Sequence, residues 1–331
     1  MDKNSSSIKT GVIGTGSMGI NHVRLYSEIS NLVGVSDVNE EHGRKVAKNF
    51  GVKYFRDYGE LLSHVDAVSI AVPTSFHLAV AKDACRAGVN ILVEKPLASS
   101  VKEAELIIQE SIKANVILAV GHVERHNPVV RYAKTAIDRG EWGDVITLSS
   151  RRVSNFPYRI HDVGVLLDLS IHDIDITNYL ANSKVNDVFA VGGNLKSERH
   201  EDHVNLVMKH SSGVISICET NWLTPMKIRK LGITTSHYFI ELDYNKQSII
   251  TFKSSIKDLE KTNLYKAKVE FKENIIPITK EEPLLIELRD FLNCIETGKK
   301  PVVSGEEGLE VLKISEAALK SLKRGKVINL V

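Results

Sequence analysis

Three glycines at the spacing G-x-G-x-x-G follow an apolar run that ends at Ile13. The residues of this pattern that we expect at a ligand are Gly14, Gly16, Ser17, Met18 and Gly19. Such glycines allow a tight turn and let backbone N–H groups approach a pyrophosphate at the start of the next helix. Asp37 lies 18 residues beyond Gly19, at the end of the next apolar run. Its carboxylate can accept hydrogen bonds from a ribose diol and would repel a 2′-phosphate, so the pattern predicts NAD rather than NADP.

Lys95 belongs to the sequence Glu94-Lys95-Pro96, directly after the apolar run Ile91–Val93. A parallel strand would deliver this lysine to the sheet edge at which ligands bind. There its ammonium could lower the pKa of a substrate hydroxyl or polarise a carbonyl group. The alternative is a surface lysine that precedes a proline turn.

Asp168 and His172 are four residues apart, so on a helix they would share one face. A histidine paired with a carboxylate can take or give a proton while a hydride is transferred. The alternative is an exposed pair on a helix surface. A metal site built on His122, Glu124 and His126 would need a further ligand that the sequence does not identify, so we predict no metal.

The elements that must position these side chains follow from the pattern of the first 120 residues. Short apolar runs predict strands at 8–13, 32–36, 67–72, 91–93 and 116–120. Amphipathic stretches between them predict helices at 40–50, 76–87 and 101–114. Ser99 or Ser100, followed by Glu103, forms a candidate capping box for the last helix. Strand–helix alternation predicts an α/β fold, a Rossmann doubly wound parallel sheet with helices on both faces.

After about residue 123 the pattern changes to strands that follow one another. A helix at 129–138, a strand at 145–153 and a helical stretch at 163–180 come first. The next predicted strands are 185–195, 203–209, 214–222, 228–234, 238–242 and 248–252, and helices at 283–297 and 306–323 precede a strand at 327–330. This succession predicts an α+β domain with a large, mostly antiparallel sheet. We therefore expect a first domain at 1–123 and a second at 124–331.

The composition excludes several classes of protein. Lys and Arg total 43 against 41 for Asp and Glu, and this balance argues against nucleic acid or an anionic membrane as the main partner. The chain is 43% hydrophobic and 25% charged, as globular proteins are, and no apolar run reaches the roughly 18–20 residues of a membrane helix. Three widely spaced cysteines without a CxxC pair, after a polar N-terminus, predict a cytoplasmic protein.

The order and spacing of these motifs resemble those of the Gfo/Idh/MocA oxidoreductases over essentially the whole chain. The stretches that carry the resemblance are Gly14–Gly19, Asp37, Pro73–His77, Glu94–Pro96, Gly121–Pro128 and Asp168–His172. The combination of Glu94-Lys95-Pro96 with Asp168-x-x-x-His172 is more specific than the glycine pattern. The resemblance implies an NAD-dependent sugar dehydrogenase that forms a homodimer or homotetramer through the face of its second sheet.

The same resemblance implies roles for individual residues. Lys95 would contact the reacting hydroxyl, His172 would act as acid or base, and Asp168 would assist at the substrate. Further residues implied at the cofactor are Pro73, Thr74, His77, Glu94, Lys95 and Asn127. Whether Lys95 or His172 accepts the proton stays open.

Within this family, residues 121–128, 149–164 and 168–175 resemble the branch that oxidises the C3 hydroxyl of UDP-N-acetylglucosamine. Arg151, Arg152 and Arg159 precede the predicted catalytic helix, and several guanidinium groups suit a diphosphate or a carboxylate. These arginines could instead form ion pairs between subunits. The alternative substrates are inositol or a simple hexose, or UDP-N-acetylglucosaminuronate. The alternative to an enzyme is a regulator that binds NAD without turnover.

Overall fold

The computed structural model describes residues 6–157, 163–257 and 268–330. It contains two compact units. The first unit comprises residues 1–126 and 282–313, and the second comprises 127–281 and 314–331.

A six-stranded parallel sheet forms the centre of the first unit, in the order β3-β2-β1-β4-β5-β6. Its strands are β1 (Lys9–Ile13), β2 (Asn31–Ser36), β3 (Lys53–Phe55), β4 (Ala67–Ile70), β5 (Asn90–Glu94) and β6 (Leu118–Gly121). The strand order reverses between β1 and β4, and ligands of open parallel sheets bind beside such a reversal, at the carboxyl ends of the strands. The glycine loop follows β1 and Lys95 follows β5, so both lie at this edge.

Helices connect these strands and cover the sheet. They are α1 (Gly19–Ile29), α2 (Glu40–Phe50), α3 (Tyr58–Leu62), α4 (His77–Arg86) and α5 (Val101–Ala114). The predicted capping box of α5 is present: Ser100 Oγ accepts a hydrogen bond from the Glu103 N–H, and Glu103 Oε2 accepts one from the Ser99 N–H. These two bonds satisfy backbone donors that a helix start leaves without a partner, and so they fix where α5 begins.

The first unit is completed by a segment from late in the sequence. Helix α8 (Pro283–Thr297) places Leu288 and Phe291 in one apolar cluster with Val12 of β1 and Val23 of α1. The structure therefore differs from the predicted division at residue 123, because 282–313 packs with the first unit and the units part after His126. The amphipathic pattern of α8 predicts a helix, but it does not specify which of two cores buries the apolar face.

The second unit is built on a nine-stranded sheet in the order β14-β13-β12-β11-β7-β10-β9-β8-β15. Its strands are β7 (Val145–Val153), β8 (Val185–Gly193), β9 (His203–His210), β10 (Ile215–Asn221), β11 (Ile228–Thr235), β12 (Phe239–Asp243), β13 (Ser248–Lys257), β14 (Lys268–Ile276) and β15 (Ile328–Asn329). The pairing is antiparallel except between β7 and β10, which run parallel.

Helices α6 (Pro128–Asp138) and α7 (Ile171–Ala181) pack with this sheet, and their buried side chains share an apolar core with it. A single π-helical turn, Leu166–Ser170, leads into α7. Helix α9 (Gly305–Arg324) begins in the first unit and ends in the second. The predicted fold class is confirmed, a Rossmann-type parallel sheet followed by a mostly antiparallel one.

Candidate active site

The glycine loop has the conformation that its sequence predicts. Gly14 has a φ of +87°, and a Cβ at Gly19 would lie 1.9 Å from the Gly14 carbonyl oxygen. A Cβ on Gly16 would meet no atom of the described chain within 4 Å, so the space over this residue is open. Gly14 and Gly19 are thus required by the turn itself, whereas Gly16 keeps a concave surface free for a ligand.

Helix α1 begins directly after this loop. Within the described part of the chain no side chain caps its first turn, and that turn carries no acidic residue. The N–H groups and the positive end of the helix dipole are therefore left for an anionic ligand. Ser17 and the partly exposed Met18 lie at this helix start, as predicted. The loop and the helix start together fit the pyrophosphate of NAD.

Asp37 follows β2 and faces the glycine loop. Its Oδ2 accepts hydrogen bonds from both the N–H and the hydroxyl of Thr15, each at 2.7 Å, and its Oδ1 accepts one from the Asn39 N–H at 2.8 Å. Burial acts against the charged carboxylate, but these hydrogen bonds outweigh it and lower the pKa of Asp37. The carboxylate is therefore ionised and fixed in direction, as contact with a ribose diol requires.

Lys95 lies half-buried immediately after β5. The Lys95 N–H donates to Oε2 of Glu94 at 3.2 Å, while Oε1 of Glu94 lies 2.9 Å from Nε2 of the buried His22. Burial raises the pKa of Glu94, but the hydrogen bond from His22 and the positive charge of Lys95 shift it below its usual value. Glu94 is only 7% exposed and engages His22, and its contact with the cofactor stays a prediction.

The residues after β4 lie at the same edge of the sheet, next to the Lys95 segment. Pro73 is exposed, Thr74 is half-buried, and a single 3-10 turn at Thr74–Phe76 leads into α4. His77 is buried, with Nε2 3.0 Å from the Val72 carbonyl oxygen and Nδ1 3.0 Å from that of Pro96. His77 therefore connects the backbone after β4 to the backbone that follows Lys95. The contact of His77 with the cofactor stays a prediction.

Asn127 belongs to the second unit and is 2% exposed. Its side chain caps α6 by accepting from the Val129 N–H, and its amide donates to the Tyr244 carbonyl oxygen at 3.3 Å. An N-cap of this kind stabilises a helix by about 1 kcal/mol. The structure thus gives Asn127 a structural role, and its contact with the cofactor stays a prediction.

The second candidate group lies where the π-helical turn meets α7. Asp168 is in the turn and His172 is in the first turn of α7, and both side chains are half-buried. Glu201 supports the start of the turn, because its Oε1 accepts from the Leu166 N–H at 3.1 Å and its carbonyl oxygen accepts from the Val165 N–H at 2.9 Å. The predicted helix is therefore correct, with a wider first turn that carries Asp168.

Arg152 and Asp173 form a buried ion pair beneath this helix. The Arg152 Nε lies 3.0 and 3.1 Å from the two carboxylate oxygens of Asp173, and both side chains are 1% exposed. The guanidinium also lies over the ring of Tyr244, 5.2 Å from its centre. This pair ties β7 to α7 immediately beside His172. Arg152 is thus held by the helix, and its contact with substrate stays a prediction.

Arg151 points to the opposite face of β7. Its side chain is 54% exposed, and its Nε lies 3.0 Å from Oε2 of Glu219 on the adjacent strand β10. Adjacent residues of a strand alternate between faces, so two neighbouring arginines cannot serve one pocket on this sheet. The predicted substrate contact of Arg159 lies outside the described residues.

His122, Glu124 and His126 are the residues that the metal hypothesis considered. Residues Val123–His126 form a 3-10 turn in which Glu124, Arg125 and His126 are buried. Arg125 Nη1 lies 3.0 Å from Oε1 of Glu307. In the ranges that the structure describes, no three His, Cys, Asp or Glu side chains come together as a metal site would require.

None of the helices in these described ranges is both long enough and apolar enough to cross a membrane.

Two functional candidates, His22 and Asp173, were not singled out from the sequence. His22 lies on α1, three residues after Gly19. This position indicates a side chain directed to the carboxyl ends of the strands, which is the signal that could have identified it. Asp173 follows His172 directly, and a carboxylate on the buried face of a helix indicates a buried cation as its partner.

Comparison with known proteins agrees with this geometry. The family model described as an oxidoreductase family with an NAD-binding Rossmann fold matches residues 8–122, and the model of the Gfo/Idh/MocA C-terminal domain matches residues 130–239. UDP-N-acetylglucosamine 3-dehydrogenase of Acidithiobacillus ferrooxidans is 30% identical over 92% of this chain and 94% of its own length. Its crystal structure superposes with a TM-score of 0.86, at 29% identity over 96% of this chain and 98% of that one.

A second relative is myo-inositol 2-dehydrogenase of Thermotoga maritima, which is 27% identical over 98% of both chains. The relatives thus include dehydrogenases of a nucleotide sugar and of a cyclic polyol. Family models that cover most of the sequence, with a relative at 30% identity over nearly its full length, show that the chain belongs to the Gfo/Idh/MocA family of NAD-binding oxidoreductases, which act on CH–OH groups.

Proposed function

We propose that this protein oxidises a secondary hydroxyl of a sugar, with NAD as cofactor and Lys95 as the residue that contacts the reacting oxygen. The observation that carries the proposal is the placement of Lys95. It follows β5 at the same edge as the open glycine loop after β1, and its backbone N–H is held by Glu94. The preference for NAD over NADP rests on Asp37, whose ionised carboxylate favours a ribose diol and disfavours a 2′-phosphate.

The chain's own residues supply the proton chemistry of this reaction. When bound, NAD would supply the acceptor for the hydride of the carbinol carbon. The ammonium of Lys95 hydrogen-bonds to the substrate oxygen and stabilises the alkoxide character that develops there. His172 takes the hydroxyl proton, and Asp168, one helical turn earlier, orients the substrate or this histidine. The carbon loses a hydride and the oxygen loses a proton, so the product is a ketone.

For the substrate we propose UDP-N-acetylglucosamine, oxidised at its C3 hydroxyl. The support is the relative that acts on this compound and covers 92% of the chain. Arg151 and Arg152 do not contribute to this choice, because each is paired with a carboxylate of the same unit. Inositol is the second candidate, since the Thermotoga maritima relative covers 98% of the chain.

The substrate is tested by following NADH formation at 340 nm with UDP-N-acetylglucosamine, UDP-glucose, UDP-N-acetylglucosaminuronate, myo-inositol and glucose. Because a 3-keto sugar forms against an unfavourable equilibrium, hydrazine is included to trap the ketone. Reduction of NAD with UDP-N-acetylglucosamine alone supports the proposed substrate. Reduction with myo-inositol alone replaces that substrate and leaves the reaction class in place.

The role of Lys95 is tested by Lys95→Ala, with Lys95→Arg as the variant that keeps the charge. We expect kcat to fall by about 10²–10⁴-fold in Lys95→Ala, the range that general acid–base groups contribute. Affinity for NADH, measured by fluorescence, stays near that of the unmodified protein. Normal turnover in Lys95→Ala would show that the lysine is not the reacting group.

We also propose that the chain assembles with copies of itself through the exposed face of the nine-stranded sheet. Val207, Ile217 and Ser149 are cross-strand neighbours on this face, and Val207 and Ile217 are 42% and 40% exposed. The same face carries the ion pairs Arg151–Glu219 and Lys230–Glu241. A surface with apolar residues and both charge signs is self-complementary when a second copy is related to it by a two-fold axis.

A further inference from the structure

A chain of four buried polar side chains leads from the interior of the first unit to the Lys95 segment. Tyr26 Oη lies 3.0 Å from Ser69 Oγ, which lies 2.9 Å from His22 Nδ1. His22 Nε2 lies 2.9 Å from Glu94 Oε1. The four side chains come from α1, β4 and β5, so the chain joins the helix that starts at the glycine loop to the strand that ends at the lysine.

The donors and acceptors of these four groups allow one consistent direction of donation along the series of hydrogen bonds. An ionised carboxylate only accepts, so His22 Nε2 carries a hydrogen and donates to Glu94. In a neutral ring Nδ1 then accepts from the Ser69 hydroxyl, and Ser69 in turn accepts from the Tyr26 phenol. Each member has its hydrogen bond, and the fixed negative end of the chain is the carboxylate beside Lys95.

The sequence leaves room for this carboxylate on the neighbouring strand. Gly121 of β6 pairs with Glu94 in register, and a Cβ at Gly121 would lie 3.1 Å from both Cδ and Oε2 of Glu94. A side chain at residue 121 would therefore push the carboxylate away from the Lys95 N–H. Gly121 is needed here for space, since its φ is not positive.

Stability alone does not account for a carboxylate and a histidine at these positions. Buried polar pairs can be replaced by packed apolar side chains without loss of stability, because desolvation offsets much of their attraction. The pair ends at the backbone of the lysine to which the proposed function assigns the reaction. A 1 Å displacement of such a group is enough to cost a large factor in rate.

We propose that His22 is a positioning residue for Lys95. It holds the Glu94 carboxylate in place, and Glu94 fixes the Lys95 backbone and supplies the negative charge next to its ammonium. This inference rests on the proposed function, because it takes Lys95 as the group that contacts the substrate oxygen.

The test compares three variants in the full-length protein. His22→Leu removes the donor to Glu94, and His22→Gln keeps an amide that can donate to it. His210→Leu is the matched control, since His210 is also buried and lies 2.7 Å from a serine hydroxyl, Ser216 Oγ, but belongs to the sheet of the second unit. If His22→Leu does not fold, Glu94→Gln takes its place, because it keeps the shape of the carboxylate and removes its charge.

Two quantities are measured on each variant. The first is kcat with the best sugar of the panel, together with KM for NAD. We expect His22→Leu to lower kcat by about 10²-fold and His22→Gln to recover most of it, with KM for NAD nearly constant. The second is hydrogen exchange at the Lys95 backbone amide, which needs no substrate and is expected to accelerate in His22→Leu only.

Each outcome bears on one proposal. A His22→Leu protein with normal kcat, or with unchanged exchange at the Lys95 amide, overturns the positioning role. The same holds if His22→Gln is as slow as His22→Leu, or if His210→Leu loses as much activity. If the unmodified protein oxidises no sugar while exchange at Lys95 accelerates in His22→Leu, the proposed function fails. The restraint of the Lys95 backbone by His22 is then still supported.

Discussion

At the scale of single residues, Asp37 shows how a cofactor preference can be built from local hydrogen bonds. A carboxylate has about four acceptor positions, and Thr15 and Asn39 fill three of them. One position remains, and the direction and charge of the carboxylate are already set. A ribose diol can donate to it, whereas a 2′-phosphate would meet its negative charge.

Replacing Asp37 by Ala should weaken NAD binding more than NADP binding. Removal of the carboxylate deletes an acceptor for the diol and also removes the repulsion of a phosphate. Equilibrium titration with both reduced cofactors, followed by fluorescence, measures the two dissociation constants. Asn39→Ala is the control for a change in the loop that leaves the carboxylate present. An unchanged ratio of the two constants would contradict the role of Asp37.

The three cysteines are a second case at this scale. Burial raises the pKa of the Cys85 and Cys294 thiols to about 11 and that of Cys218 to about 12. Since the thiolate is the reactive form, we expect almost no reaction with a disulfide reagent at neutral pH. The measurement is thiol release with 5,5′-dithiobis(2-nitrobenzoate), first on the folded protein and then in urea. Rapid release from the folded protein would show that a thiol is accessible.

At the scale of elements, the ion pair Arg152–Asp173 holds α7 against β7. Breaking a buried pair by removing one partner leaves a buried charge without compensation. We expect Arg152→Ala to lower the free energy of unfolding by about 3–5 kcal/mol, the range for such pairs. Arg151→Ala, on the exposed face of the same strand, should cost at most about 1 kcal/mol. Thermal unfolding of both variants, followed by circular dichroism, measures the difference, and equal shifts would contradict the assignment.

Much of this arrangement could be predicted from the sequence, because it is set by local pattern. Apart from β3, the strands of the first sheet agree with the sequence pattern, as do its glycines, the bounds of α2 and α5 and the capping residue Ser100. The short strand β3, helix α3 and strand β14 were missed. An element of three to five residues, such as β3 or α3, shows too few periods to be recognised.

The roles of individual site residues were harder to predict, since they depend on which side chain meets which partner. Glu94 and His77 lie in the predicted motifs, yet the structure turns both inward, toward His22 and toward backbone carbonyl groups. Arg152 was assigned to substrate because arginines suit phosphates, but its partner Asp173 lies 21 positions further along the chain. Such long-range pairs leave no mark in the local sequence.

At the scale of the whole molecule, self-association depends on one exposed face. Substitution of Ile217 by Lys places a charge between the apolar neighbours of the proposed interface. We expect the mass measured by light scattering to fall from that of a dimer or tetramer to that of one chain. Thr135→Lys, at an exposed position on α6 and away from this face, is a control for charge alone. A protein that is already a single chain without any substitution would contradict the proposal.

The first unit is not continuous in the sequence, since residues 282–313 complete a core begun by residues before 127. Domains of nascent chains generally fold as units while synthesis proceeds from the N-terminus. On the ribosome, the six parallel strands emerge long before Leu288 and Phe291 of α8, and until then the apolar cluster around Val12 and Val23 lacks its cover. Most of the second unit, residues 127–281, also emerges before α8, whereas its last segment, 314–331, follows the residues that complete the first unit. Release of the nascent chain before α8 would leave an open Rossmann sheet, which chaperones and proteases recognise.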